Sequence, residues 1–482
     1  MKNSDDTSFI RHFLNVGVGT VINILLGLIS TPLITRVASP DEYGLFSIFN
    51  VYSDLAIAIL FIGLDRGIVR FFYNKDEIND QRSLLKLCFV VPMLSGFIVG
   101  IIFLLLTVTG VLETQFDIYL SILLCAYILF NIWNRLSYLI LKLTYKSKEY
   151  SLCTVIQKAV YVLIVVIYAL GIKGYYLQMM IMSSLLSIFV AGLVATVIGK
   201  NYWHFSKVKL PCNQLEIFKY SAPFIIYTLM DSLMDSMDKI SINSYLSEYD
   251  VGIYSSGAAL VAIFSIFKTI FDTVWIPMQT EHYVKNPEDK TFIQRGNRYI
   301  TIIMLFVGTN VLFFKDLICY ILGSEYREAY IVIPFLFLGS VIYAISDTTI
   351  TGIDYSKKSY YHSIIGFVAF VINFVGNTIL VQLMGIKGAA LATCLSFLTY
   401  LILRIIISNR YYYVDYGLKK MSLSLLLLTI FASELTFINN SVINIIIYLV
   451  LMALIIVLYR KDIASLIDYI LGYLGLKKNN SI

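Results

Sequence analysis

Charge is scarce in this chain. Of its 482 residues only 14% are Asp, Glu, Lys or Arg, against 58% hydrophobic, and the mean hydropathy is +0.78. A soluble chain of this length could not hide that much apolar surface. Histidine and cysteine are scarce too. The four His (His12, His204, His282, His362) stand apart, and the six Cys are scattered, mostly in or beside apolar stretches. Such spacing offers neither a disulfide framework nor a zinc site. Long polar gaps are also missing: none exceeds roughly 25 residues, which leaves no room for a soluble catalytic domain between apolar stretches. A cleavable signal peptide is not expected, because the first apolar stretch is too long and lacks a small-residue cleavage pattern.

What fills the chain is a series of long apolar stretches. They predict about fourteen transmembrane helices, at 10–34, 43–64, 84–108, 118–141, 151–171, 175–199, 217–245, 252–276, 298–314, 329–350, 360–384, 387–409, 421–438 and 441–459. A span of about 20 apolar residues crosses a bilayer as a helix.

The gaps alternate in charge. Lys2 and Arg11 at the N-terminus are followed by a basic gap after every second span, for example Arg66, Arg70, Arg82 and Lys86, or Lys285, Lys290, Arg295 and Arg298. The basic gaps and the two ends hold 27 of the 37 Lys and Arg, and the opposite gaps hold only Arg36, Lys173, Lys315, Arg327 and Lys387. Cytoplasmic gaps retain positive charge, so an even helix number with both termini in the cytoplasm is expected. The net charge of +6 is thereby a topology signal and not a nucleic-acid footprint.

The chain also repeats itself. Ser39-Pro-Asp-Glu-Tyr-Gly44-Leu-Phe-Ser47 matches Ser247-Glu-Tyr-Asp-Val-Gly252-Ile-Tyr-Ser255. Tyr145-Lys-Ser-Lys-Glu-Tyr150 matches Tyr355-Ser-Lys-Lys-Ser-Tyr360, and Gly171-Ile-Lys-Gly174 recurs as Gly385-Ile-Lys-Gly388. Three matches in order at nearly constant spacing predict a duplication. The expected fold class is an all-α integral membrane protein of two parallel-repeat six-helix lobes plus two C-terminal helices. The lobes are placed at 1–205 and 206–410, the extra helices at 411–460, and an amphipathic cytoplasmic tail at 461–482. Parallel repeats place a substrate cavity between the bundles.

An ionisable side chain near the bilayer centre costs roughly 2.5–3.5 kcal/mol on insertion scales and needs a partner or a hydrated cavity. The spans hold Asp54, Arg135, Lys158, Asp231, Asp235, Asp238, Lys239, Lys268, Asp272, Asp347 and Arg404. Asp231, Asp235 and Asp238 fall on one helical face, with Lys239 four residues after Asp235. That stripe, with Asp54, reads as a cavity wall that hydrogen-bonds sugar hydroxyls or binds a coupling proton or cation. The plainer reading is a structural ion-pair network. Lys268 reads as a cation for an incoming phosphate, or as the helix partner of Asp272. Arg66, Arg70 and Arg11 read as entry-side cations or as ordinary positive-inside anchors. Arg135, Lys158 and Arg404 are expected to snorkel to the cytoplasmic surface. Pro40 is expected to stop a helix, and Gly44 and Gly252 to serve a helix hairpin.

The opening of the chain carries a resemblance. Leu25-Leu-Gly-Leu-Ile-Ser-Thr-Pro32-Leu-Ile-Thr-Arg36, the Pro40-x-Glu42-Tyr43-Gly44 turn and Gly63-Leu-Asp-Arg66-Gly67-Ile-Val-Arg70 resemble polysaccharide flippases of the Wzx type. These belong to the multidrug/oligosaccharidyl-lipid/polysaccharide (MOP) exporter superfamily. The resemblance implies a transporter, not an enzyme. It would flip undecaprenyl-pyrophosphate-linked oligosaccharide repeat units of O-antigen or capsule from the cytoplasmic to the outer face of a bacterial inner membrane. It implies no cofactor beyond a coupling proton or sodium ion, no metal site and no nucleic acid. Its partners would be membrane lipids and the pathway's polymerase and glycosyltransferases. A cation-coupled multidrug exporter of the same superfamily, a lipid II or teichoic-acid precursor flippase, and a membrane polymerase are the competing readings. The last would need a large outer loop that the sequence does not provide.

Overall fold

A computed structural model describes residues 2–73, 77–111, 115–171, 174–205, 209–211 and 214–465. Within them the side chains of residues 2–16, 265–267, 269, 270, 272–274, 276 and 277 lie outside the description. The regular structure among the described residues is all helical, with no strand. Twelve helices among them are long and apolar enough to cross a membrane. Helices also stand at the seventh and eighth expected positions. They are not among the twelve: the seventh holds four ionisable side chains, and the eighth includes undescribed ones.

The chain divides into two compact units, one of residues 1–243 with 247–252, the other of 244–246 with 253–482. This division follows packing, whereas the repeat follows sequence similarity, and packing assigns most of the seventh long helix to the first unit. The first unit contains α1 (Lys2–Val37), α2 (Pro40–Leu60), α3 (Leu64–Phe72), α4 (Ile78–Val108), α5 (Ile118–Leu143), α6 (Ser147–Gly171), α7 (Tyr176–Ile198), α8 (Gln214–Ser221) and α9 (Pro223–Tyr245) as far as Asn243. It also includes the first turn of α10 (Glu248–Lys285). The second unit holds the rest of α10 with α11 (Thr291–Phe313), α12 (Lys315–Cys319), α13 (Ile333–Asp347), α14 (Thr351–Tyr355), α15 (Tyr360–Met384), α16 (Ile386–Tyr411), α17 (Leu418–Phe437) and α18 (Ser441–Leu458).

Several boundaries differ from expectation for local reasons. The second helix begins at Pro40, not after it. Ser39 accepts from the Glu42 amide at 3.3 Å while the Glu42 carboxylate accepts from the Ser39 amide at 3.0 Å. This capping box starts the helix, and proline fits the first position because no N–H is needed there. The same helix ends at Leu60. Ile62 and Gly63 then take positive φ, 52° and 69°, and a separate helix α3 starts at Leu64. Gly63 is required twice over: its backbone is left-handed, and a Cβ there would sit 2.2 Å from the Ser221 carbonyl oxygen. Arg66 and Arg70, expected in a gap, therefore lie on a helix, one turn apart and both exposed. The seventh long helix is broken at Ala222, ahead of Pro223, into α8 and α9.

The core of the first unit gathers Phe61, Leu64, Ile68 and Phe72 against Leu84, Leu85, Ile132, Leu136 and Ile217. That places α3 among α4, α5 and α8. In the second unit Trp275 and Ile293 pack with Val414 and Tyr416. Many large apolar side chains elsewhere are exposed, such as Leu94, Phe97, Ile98, Val99 and Ile102 on α4. An apolar outer surface of this kind is what a bilayer covers. Of the expected tail, 466–482 lies outside the described residues; Asp462 meets Arg298 at 3.4 Å.

Candidate transport site

The first unit gathers most of the membrane-embedded acids. On α9, Asp231 and Asp235 are exposed, but Asp238 is buried, so the expected stripe is split between an open end and a packed end. Lys239 is half-buried and lies within electrostatic range of Asp235, Asp238 and Asp54. Asp54 is exposed on α2 and also feels Arg135. The helix geometry of α9 thus joins to α2 through one lysine that three carboxylates share, Asp54, Asp235 and Asp238.

Arg135 is exposed on α5 and is paired. Its guanidinium donates to the buried Asp65 carboxylate at 2.7 Å and lies 5.1 Å over the Phe61 ring. Asp65 occupies the first turn of α3, where a carboxylate is favoured, and its other oxygen accepts from the Arg66 amide at 3.0 Å. Arg66 itself lies 5.9 Å from the centre of the Tyr227 ring on α9. Lys158 stands 5.1 Å from the Tyr161 ring. The Arg11 side chain lies outside the described residues.

A cavity of about 530 Å³ opens among α2, α4 and α5. Its walls are mostly apolar, with Tyr52 on one side and a reciprocal amide pair, Gln115 and Asn243, at 3.1 and 3.3 Å.

The second unit contains a different arrangement. Lys268 on α10 meets the Asp347 carboxylate at 2.6 Å, and Arg404 on α16 meets its other oxygen at 2.5 Å. Arg404 also donates to the Ser346 hydroxyl at 2.6 Å. Both cations lie over the Tyr343 ring, at 5.0 and 5.2 Å, and Arg404 lies over Tyr400 as well, at 4.9 Å. Arg404 is buried, which overturns the expectation that it reaches the surface. Side-chain geometry for Asp272, the expected helix partner of Lys268, is outside the described residues.

Asp347 and Arg404 carried a signal in the sequence, since a charge in a span needs a partner. Which charge it meets is set by the packing of α10, α13 and α16. A polar cluster was missed altogether: Asn373 donates to Thr393 at 3.3 Å, and Asn377 to Asn373 at 3.2 Å. Among the described residues no three or more His, Cys, Asp or Glu are gathered closely enough to hold a metal ion.

Carboxylates accept hydrogen bonds from hydroxyls and attract cations; guanidinium and ammonium groups bind phosphate. The spans of this chain hold both sets. Residues 10–283 match the model of the family described as Polysaccharide biosynthesis protein. The chain belongs to that family. The matched stretch runs from α1 into α10 and includes Asp54, Arg66, Arg70, the α9 acids and Lys268, whereas Asp347 and Arg404 lie beyond it.

Two curated relatives resemble this family member. It is 25% identical over 275 residues to an uncharacterized membrane protein, MJ1375, of Methanocaldococcus jannaschii, covering 52% of this chain and 62% of the relative. It is 25% identical over 217 residues to the probable low-salt glycan biosynthesis flippase Agl15 of Haloferax volcanii, covering 43% and 45%. The chain spans less than two thirds of either relative's length.

Among solved structures it resembles the lipid II flippase MurJ in an inward closed conformation, with TM-score 0.65 and 14% identity over 93% of this chain and 99% of that one. An inward-facing multidrug resistance MATE family transporter of the MOP superfamily follows at TM-score 0.56 and 15% identity, over 83% and 97%. At such identities the likeness is one of fold. The fold is shared with these two proteins, and the protein is a multi-pass membrane protein.

Proposed function

We propose that this protein is a flippase for lipid-linked oligosaccharides. It would turn polyprenyl-diphosphate-linked repeat units, undecaprenyl-linked in a bacterium, from the cytoplasmic to the outer face of the cytoplasmic membrane. The observation that carries this reading is the polysaccharide-biosynthesis family match across residues 10–283 of a chain with twelve apolar spans among its described residues. The name of the Haloferax relative agrees with it. In this reading both termini are cytoplasmic, as the charge alternation of the gaps supports. The entry-side cations Arg11, Arg66, Arg70 and Lys268 receive the diphosphate. Asp54, Asp231, Asp235, Asp238 and Lys239 contact sugar hydroxyls or a coupling proton or sodium ion.

The polyprenyl tail stays in lipid while the protein alternates access to the two faces. The membrane field assists. One charge moved across 100 mV is worth about 2.3 kcal/mol, so a headgroup with two negative charges gains about 4–5 kcal/mol on leaving an inside-negative cell. Glycosyltransferases would supply the substrate and a polymerase would consume the product.

Deletion of the gene should cause lipid-diphosphate-linked oligosaccharide to accumulate on the cytoplasmic face, and the purified chain in proteoliposomes should move it across. Accumulation of lipid II instead, or export of organic cations with no effect on the oligosaccharide, would overturn the assignment.

A further inference from the structure

The cavity of about 530 Å³ among α2, α4 and α5 lies wholly within the first unit. It is a slot that follows the helices. Tyr52, Ala56 and Leu60 line it at successive turns of α2, a run of about 12 Å at 1.5 Å per residue. Its far end, at Leu60, Gly96 and Ile128, is wholly apolar. Its near end lies at the connection between α4 and α5. There the Tyr52 and Phe116 rings meet edge to face at 5.9 Å, and Gln115 and Asn243 exchange hydrogen bonds at 3.1 and 3.3 Å. Each carboxamide spends one N–H and one oxygen lone pair in that exchange and keeps the other of each.

The slot also reaches the outer surface. Val99 lines it and is exposed, on the same helix as the exposed Phe97, Ile98 and Ile102. A bilayer covers such a surface. An apolar space at bilayer depth stays dry, and hydrocarbon that enters it gains close contacts. None of the described residues that line the slot is charged. A diphosphate at its mouth would therefore lack a counter-ion, which is costly away from water. Uncharged ester or ether oxygens, by contrast, need only an N–H, and the amide pair has two to give.

We propose that this slot seats one hydrocarbon chain of a bilayer glycerolipid. The chain enters from the lipid beside α4 and lies along the helices, parallel to the other chains of the bilayer. The oxygens at its neck accept from the remaining N–H groups of Gln115 and Asn243, and the headgroup stays in water. The lipid is thereby a bound component of the first unit and not its cargo. A resident lipid of this kind requires only a membrane-spanning bundle, whatever the protein transports.

The test uses the purified full chain in nanodiscs. One sample contains a phosphatidylethanolamine with a mid-chain diazirine, the other a geranylgeranyl diphosphate with one. After illumination, peptide mass spectrometry compares label on Cys125 and Ile128, which line the slot, with label on Phe97, exposed on α4 outside it. The phosphatidylethanolamine should label the slot residues well above Phe97, and the diphosphate should label them less. Ala56→Trp fills the slot and should lower that label about tenfold while label on Phe97 is unchanged, as loss of a formed apolar site predicts. Gln115→Leu, at an exposed position, removes one neck contact. It should raise the probe fraction needed for half-maximal label about fivefold, the order of one neutral hydrogen bond.

Slot label no stronger than that on Phe97 overturns the proposal. So does label from the diphosphate equal to or above that from phosphatidylethanolamine, which would give the slot to a prenyl carrier. Full slot label in a monodisperse Ala56→Trp protein overturns it as well. An unchanged half-maximal fraction in Gln115→Leu does the same, and that variant serves alone if Ala56→Trp does not fold.

Discussion

Gly44 and Gly252 pack reciprocally. A Cβ on Gly44 would stand 1.9 Å from the carbonyl oxygen of Glu248, and a Cβ on Gly252 would stand 1.9 Å from the carbonyl oxygen of Pro40. The two glycines are equivalent positions of the internal repeat, each four residues after the residue its counterpart touches. The first turns of α2 and α10 therefore cross backbone to backbone about a local two-fold relation. The expected hairpin role is too modest: both glycines are there because no side chain fits the crossing.

Gly44→Ala or Gly252→Ala must force the two turns apart. Overpacking of this kind costs about 1–3 kcal/mol, and more where backbone must move. Each single change should lower the melting temperature of the purified protein, and the double change should cost less than the sum, because the first has already opened the crossing. Strict additivity would show that the two sites do not share one contact.

Arg135→Ala should destabilise the first unit by leaving the buried Asp65 carboxylate unpaired. Arg135 keeps 41% of its side chain exposed, so solvent screens the pair, and about 1–2 kcal/mol is expected, below the range for fully buried ion pairs. Asp65→Asn should cost less, since the amide still accepts a hydrogen bond. Thermal unfolding of the two variants orders them; a larger loss for Asp65→Asn would contradict the pairing.

Asp235→Asn and Lys268→Ala should each slow transport by about tenfold, worth about 1.4 kcal/mol in the barrier, while the protein remains in the membrane at normal abundance. Surface glycan is measured against membrane protein by immunoblot. Full glycan in either variant would return that residue to a purely structural role.

Asp289, in the connection before α11, accepts from the Thr291 hydroxyl at 2.5 Å and from the Thr291 amide at 3.0 Å, and lies 3.0 Å from the His282 ring nitrogen. Hydrogen bonding by Thr291, with a smaller contribution from His282, holds its carboxyl below the usual range. A depressed carboxylate pKa stabilises the fold above the unfolded value of about 3.9, and that contribution is lost as pH falls through the folded value. The melting-temperature gap between wild type and Asp289→Asn should be widest near neutrality and close below about pH 4. A gap that widens on acidification would refute this account.

Much of the fold was legible because a bilayer imposes one rule on every span. Apolar stretches of sufficient length marked helices at all the expected places, and ends set by local chemistry, such as Gly171 and Met384, fell within a residue or two of expectation. Pro40 was misread because its role depends on Ser39 and Glu42 closing a capping box around it. The break at Ile62–Gly63 was hidden in an apolar run, since hydropathy does not register a left-handed turn.

The charges divide the same way. Composition showed that Asp347, Arg404 and Arg135 were ionisable groups that membrane burial would make costly, while Asp65 lay just past the expected end of the second span. It could not pair them. Arg135 finds Asp65 across 70 residues of chain and Arg404 finds Asp347 across 57, and such distances are closed only by helix packing.

By itself, then, the sequence determined the class of the protein and the course of its helices, because hydropathy and periodicity are properties of consecutive residues. Tertiary structure alone decided which glycines touch, which cations share a carboxylate and which acids stay open, because those depend on side chains brought together from distant helices.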